Sequence, residues 1–192
     1  MDFNRQPLAG ATFFIYARNT NRTKGVDSLL LTERCGLCKP RLADYEQIRL
    51  LFQDEMVRAY LGGPRHDQTI QAIFSDMLVA KPPTHHWLIF HVEQDQFMGL
   101  VSLNPHHDGA QIEVSYQFLP HWWGAGYASE VVAFICAYAR TILGESKILA
   151  ETQIANTRSC QLLERIGMRP EYQVERFGAK QIVYALEATC DE

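Results

Sequence analysis

The chain has 192 residues, 47% hydrophobic and 21% charged, with a formal net charge of −4. That is the balance of an ordinary globular domain with a substantial core, and its acidity argues against nucleic acid or an anionic membrane as the main partner. No apolar run nears the ~20 residues of a membrane span. Five scattered cysteines do not form a secreted disulfide framework, so the expected compartment is cytoplasmic.

Residues 1–27 lack periodicity and contain the polar break Asn19-Thr-Asn-Arg-Thr-Lys-Gly25. They read as an N-terminal extension, carrying a short strand at Thr12–Tyr16 or an arm for a homodimer, ahead of a domain at 28–188. Leu29–Lys39 reads as the first strand of that domain, ended by Pro40. Asp44 is positioned to cap a helix bearing Ile48, Leu51 and Phe52, and Asp54–Leu61 continues as a second helical piece up to Gly62-Gly63-Pro64. Asp67 is positioned to cap a third helix, whose Ile70, Ile73, Phe74, Met77 and Leu78 form one apolar stripe.

His86–Glu93 and Gln96–Leu103 have the composition of a hairpin, and Gln111–Leu119 that of the next strand. A glycine turn leads into a long helix with Ala128, Val131, Val132, Ile135, Tyr138, Ala139 and Ile142 on its buried face. Lys147–Gln153 follows as a strand and Asn156–Ile166 as a helix stopped by Gly167. Met168–Val174 and Gln181–Leu186 finish as strands about a turn at Phe177-Gly178. This order suits a mixed α/β sheet with helices on both faces, not a purely parallel doubly wound one.

The most telling stretch runs from Ile112 to Glu130. A strand that ends at a glycine turn and restarts as a helix leaves unpaired backbone N–H groups at the positive end of the helix dipole, which suits a phosphate or pyrophosphate. Gly124 and Gly126 let an anion approach the backbone closely. Two other motifs fail on inspection. Cys35-x-x-Cys38 lacks a second Cys/His pair for zinc, so no metal site is expected. Gly124-x-Gly-x-x-Ser129 comes too late in the chain for a Rossmann fingerprint, and the Gly-Lys-Ser/Thr of a Walker loop is missing.

Five segments stand in a telling order: Leu31-Thr-Glu-Arg34, Ile112-Glu113, His121-Trp-Trp-Gly-Ala-Gly-Tyr-Ala-Ser-Glu130, Asn156-Thr-Arg-Ser159 and Leu163-Glu-Arg-Ile-Gly-Met168. Together they resemble the GNAT superfamily of acyl-CoA-dependent N-acetyltransferases over roughly Leu29 to Glu187. Within it they are similar to the branch of ribosomal-protein alanine and serine N-terminal acetyltransferases. His121 departs from the Gln or Arg often found at the first position of the family's loop.

The resemblance implies acetyl-CoA as cofactor, with Trp123, Gly124, Ala125, Gly126, Tyr127 and Ala128 at its pyrophosphate and Phe118 among its further contacts. It implies a mostly antiparallel sheet splayed between the fourth and fifth core strands, Gln111–Leu119 and Lys147–Gln153, with the pantetheine arm in the gap. Asn156 then has two compatible roles, helix cap and pantetheine contact. The implied reaction is direct attack of a neutral amine on the thioester. An α-amine, with a pKa of about 7.7–8.0, needs less help to lose its proton than a lysine amine at about 10.4.

Glu113 is the first choice of base and Glu151 the second, each also readable as a solvated or salt-bridged carboxylate. Leu163 stands where many relatives carry a tyrosine acid. Ser159 is the implied substitute, or else a small residue that permits close packing. Tyr60, Trp87, His106 and His107 are expected around the acceptor, or else as core aromatics and a wet loop. The expected acceptor is a protein or peptide N-terminal amine. The alternatives are a small-molecule amine (an antibiotic or polyamine) and a non-catalytic acyl-CoA-binding protein.

Overall fold

Most connections in this chain are too short for anything but hairpins, so neighbours in sequence become neighbours in the sheet. A computed structural model describes residues 29–109 and 111–187, together with the backbones of Pro7–Leu8 and Phe13–Tyr16. The strands are β1 (Pro7–Leu8), β2 (Phe13–Tyr16), β3 (Leu29–Leu31), β4 (Cys35–Cys38), β5 (His85–His91), β6 (Phe97–Pro105), β7 (Ile112–Phe118), β8 (Lys147–Gln153), β9 (Arg169–Arg176) and β10 (Ala179–Glu187). They form one 10-stranded sheet in the order β1-β2-β3-β4-β5-β6-β7-β8-β10-β9. All pairs are antiparallel except β7 with β8, which a long helical crossover makes parallel. The stretch read as an extension thus supplies two strands to the common sheet, and Thr12 lies outside the described residues.

The helices are α1 (Tyr45–Gln53), α2 (Glu55–Arg58), α3 (Asp67–Leu78), α4 (Tyr127–Thr141) and α5 (Thr157–Arg165). Ile48, Leu51 and Phe52 of α1 and Ile70, Phe74 and Met77 of α3 are buried, so the stripes read from spacing do face the core. α1 packs on β6, while α4 packs on β7 and β8 and α5 on β8. Among the described residues no helix is long and apolar enough to cross a membrane.

Three local expectations are corrected. Leu29–Lys39 is not one strand: Thr32 closes a turn inside it, its Oγ1 accepting the Cys35 N–H at 3.0 Å, and splits the run into β3 and β4. Asp44 holds the N-cap position of α1, but its side chain makes no capping bond there. It ends a short 3₁₀ turn at Leu42–Asp44, and its carboxylate accepts the Arg41 N–H at 2.9 Å. Asp67 is the first residue of α3 rather than its cap, and it receives Tyr45 Oη at 2.9 Å and Gln71 Nε2 at 3.1 Å. Asp54 caps α2 by accepting the Val57 N–H at 2.8 Å.

Two features of β7 position the site. At one end it presses so closely on β6 that a Cβ on Gly99 would lie 2.0 Å from the Gln117 carbonyl oxygen. At the other it meets β8 only at Ile112↔Ile148 and Glu113↔Leu149. Beyond Glu113 the two strands part, and the sheet opens as a wedge whose lips are Val114–Phe118 and Ala150–Gln153.

Candidate active site where two strands part

The turn before α4 is shaped by two left-handed glycines, Gly124 at φ 82° and Gly126 at φ 83°. The indoles beneath it are fastened to strand backbone, Trp122 Nε1 to the Phe97 carbonyl at 3.2 Å and Trp123 Nε1 to the Phe118 carbonyl at 2.7 Å. Phe118 itself is buried. The Trp123 N–H already donates to the Pro120 carbonyl at 3.0 Å, which removes it from the expected row of free amides. No side chain caps α4, so the amides of its first turn still face outward for an anion.

A strap from the β3–β4 turn holds this loop in place. Glu130, in the first turn of α4, accepts Thr32 Oγ1 at 2.6 Å, the Arg34 N–H at 2.8 Å and Arg34 Nε at 2.6 Å. The same guanidinium reaches the Ala125 carbonyl at 3.0 Å and lies 4.3 Å over the Tyr127 ring. Burial pushes the Glu130 carboxyl up, but the bonds from Thr32 and Arg34 outweigh it and hold the group below its ordinary range. Arg34 therefore neutralises Glu130, the acid in the first turn of α4. Arg158 of α5 adds a second cation, 5.2 Å over the Trp123 ring.

In the wedge, Asn156 Oδ1 accepts the Ser159 N–H at 3.3 Å and caps α5. Ser159 Oγ is 2.8 Å from Tyr116 Oη, a bond that joins α5 to β7 across the parting strands. Leu163 is buried in the core.

At the closed end of the wedge, β7 and β8 present Glu113 and Glu151. Burial, and then the Glu151 carboxylate, push the Glu113 carboxyl up to about 7. The Glu151 side chain is only 7% exposed, and its Oε2 receives Arg176 Nη1 at 2.8 Å and His106 Nε2 at 3.2 Å. Its Oε1 is buried without a partner among the described residues. The Asp108 N–H donates to His106 Nδ1 at 3.2 Å, which assigns the proton of the neutral ring to Nε2 and makes it a donor to Glu151. Asp108 completes the network, accepting Arg176 Nη2 at 2.5 Å and Tyr172 Oη at 2.9 Å.

Of the residues expected around the acceptor, His106 bonds Glu151 directly, at 3.2 Å. His107 lies beside it, edge-on to Phe177 at 5.5 Å. Tyr60 is exposed, with its carbonyl accepting Gln153 Nε2 at 3.1 Å at the far end of β8. Trp87 does not belong with them. It is 4% exposed, stacked on His85 and edge-on to Tyr138 of α4, on the sheet face opposite Glu113. Arg34, Asp108, Tyr116, Tyr172 and Arg176 were not foreseen. Their side-chain hydrogen bonds reach partners between 25 and 96 residues away, and only Arg34 stood inside one of the motif segments.

The profile of the acetyltransferase (GNAT) domain family matches residues 34–169, more than half of the chain. The chain belongs to the GNAT family of acetyltransferases. It is an enzyme that takes an acetyl group from acetyl-CoA, which sets aside the non-catalytic reading, and the splayed sheet is the GNAT fold. The chain is 28% identical over 151 residues to the uncharacterized N-acetyltransferase YoaA of Bacillus subtilis, covering 74% of this chain and 84% of that one. A GNAT-family acetyltransferase from Bacillus anthracis has the same fold at a TM-score of 0.73 and 21% identity, over 83% of this chain and 98% of its own. So does the spermidine N-acetyltransferase of Vibrio cholerae, solved with CoA and spermine, at a TM-score of 0.71 and 18% identity over 81% and 96%.

Proposed function

We propose that this GNAT enzyme acetylates a small cationic amine of the polyamine class, with Glu113 as general base. One observation carries the reading: two carboxylates, Glu113 and Glu151, meet where β7 and β8 part, and the pKa of the first is raised to about 7. A base poised near neutrality suits an incoming ammonium, from which it takes a proton directly or through a water. Glu151, Asp108 and Glu113 outnumber the single Arg176 among them, so the acceptor face keeps negative charge to attract a cation. A spermidine acetyltransferase shares the fold, which agrees with this class.

On the donor side, the amides from Gly124 to Ala128 hold the pyrophosphate, Asn156 offers its amide to the pantetheine arm, and the Ser159 hydroxyl donates a hydrogen bond to the departing sulfur. Acetyl-CoA supplies the activated acyl carbon.

The N-terminal-amine acceptor suggested by branch resemblance is less well supported. Thr32, Arg34 and Glu130 brace the donor loop, and Asn156 caps α5, so apart from Ile112-Glu113 the motifs behind that resemblance describe the donor half and carry little information on which amine is accepted.

Release of CoA should be measured with spermidine, spermine, an aminoglycoside and peptides beginning with alanine or serine. The expected order puts the polyamines first. Turnover of the peptides alone would overturn the acceptor assignment.

A further inference from the structure

The loss of the usual tyrosine at Leu163 leaves a question about the leaving sulfur. A serine hydroxyl has one proton and two acceptor lone pairs. Unless something fixes its orientation, Ser159 presents lone pairs to a developing thiolate about as readily as its proton. Tyr116 Oη, at 2.8 Å, is the partner that can fix it.

We propose that Tyr116 is a positioning residue for the leaving group: its phenol donates to Ser159 Oγ and thereby turns the serine proton toward the sulfur in the wedge. The argument is first geometric. Tyr116 lies on β7 beyond the point where β8 leaves it, and Ser159 lies in the first turn of the helix after β8. Their bond spans the gap through which the thioester must pass. A phenol is also the stronger donor of the two, and a Ser159 proton aimed at Tyr116 would turn lone pairs on a forming anion.

The acidity of Tyr116 decides between donating a hydrogen bond and delivering a proton. Burial pushes its pKa up to about 12, whereas a thiol is ordinarily near 8.5. Its titratable neighbours are Cys136 on α4 and Cys160 on α5. Transfer of a proton from this phenol to a thiolate would run uphill, so Tyr116 keeps its proton throughout. When the tetrahedral adduct collapses, the carbon–sulfur bond breaks, its electron pair goes to sulfur, and the Ser159 O–H stabilises the thiolate. The proton that finally restores the thiol comes from water.

This proposal rests on the role given above to Ser159, and the test separates the two. Wild-type enzyme, Tyr116→Phe, Ser159→Ala and the double variant should be compared in the CoA complex. The readouts are the pH dependence of ultraviolet thiolate absorbance from bound CoA, and steady-state kinetics. Each single change is expected to raise the bound thiol's pKa by about one unit and to lower kcat about tenfold, with both KM values nearly unchanged. The double variant should be no worse than Ser159→Ala alone, because the phenol acts through the serine. A normal thiol pKa and kcat in Tyr116→Phe, with Ser159→Ala impaired, would overturn the role of Tyr116 and leave Ser159 standing. Normal values in both would remove the Ser159 reading and this proposal with it. Effects that multiply in the double variant would show the two residues acting independently, which also overturns it. Phenylalanine keeps the ring in place, and matching melting temperatures would confirm that the fold is intact.

Discussion

The donor and acceptor halves proposed for the site are built by different means. The donor half is one continuous turn, Gly124 to Ala128, given its shape by two left-handed glycines and held by a single strap from Arg34 and Thr32 to Glu130. The acceptor half draws Glu113 from β7, Glu151 from β8, His106 and Asp108 from the β6–β7 loop, and Arg176 and Tyr172 from β9. The first is a local turn with one distant brace. The second is a charge network in which one residue can change without unmaking the fold, as expected where acceptor preference diverges. The halves should therefore fail separately under mutation.

The largest effect should come from Glu113→Gln. Removal of a general base is expected to slow acetyl transfer by about 10²–10⁴-fold while leaving CoA affinity intact. The wild-type kcat/KM should rise as pH passes up through about 7, where Glu113 loses its proton, and the variant should lack that limb. Stability should move the other way. The folded pKa lies above the unfolded value, so the folded state binds the extra proton, and its stability falls as pH climbs from the ordinary glutamate range to about 7. Above that window the glutamine variant should be more stable, by roughly 3 kcal/mol, seen as a higher melting temperature. A full rate with an unchanged pH profile would pass the role of base to another group, with Glu151 next in line.

On the donor side, Arg34→Ala should raise KM for acetyl-CoA about ten- to a hundredfold and leave kcat at saturating donor near wild type. It deletes charge-assisted bonds to Glu130 and the Ala125 carbonyl, and it leaves Glu130 with only the neutral donors of Thr32 and the residue 34 backbone, its charge unmatched at the proposed phosphate-binding helix start. A change in acceptor KM of the same size would break the separation of the two halves. Gly126→Ala tests the same loop more gently. Its added Cβ meets Arg34 Nη2 at an ordinary 3.6 Å, so the cost is conformational, about 1–2 kcal/mol for the left-handed backbone. About tenfold weaker CoA binding by calorimetry is the expected outcome.

The same contrast explains what could be read from sequence. The glycine turn, the α3 and α4 stripes and the cap of α5 by Asn156 depend on residues within a few positions of one another, and the chain shows them directly. The wedge came from resemblance, because strand divergence has no spacing signature. Trp87 was misplaced for a physical reason. Trp87, Leu88, Ile89 and Phe90 are all buried, so β5 lacks the alternation that would show which face each residue takes. Arg176 and Asp108 meet 68 positions apart, and such pairs leave no period to find. Asp44 stands just before α1 and Asp67 opens α3, close to where caps sit, yet nearby donors claim their carboxylates for other bonds.

The smallest predicted effect is also the closest test of how the acceptor network is organised. Asp108→Asn removes one of the two carboxylates on Arg176 but keeps an oxygen for Tyr172, and the Glu151 contact at 2.8 Å remains. Asp108 is 45% exposed, so solvent screens its pairing and the loss should be modest, about two- to threefold in acceptor KM with kcat retained. Hydrogen bonds from Arg176 and Tyr172 hold the Asp108 carboxyl below its ordinary range. Its contribution is therefore complete at neutral pH and is lost only as pH falls through that lowered value, so wild type and variant should converge in acid. If Asp108→Asn instead abolished turnover, the β6–β7 loop would belong to the chemistry rather than to its support, and the buried Glu151 alone could not be what keeps Arg176 in place.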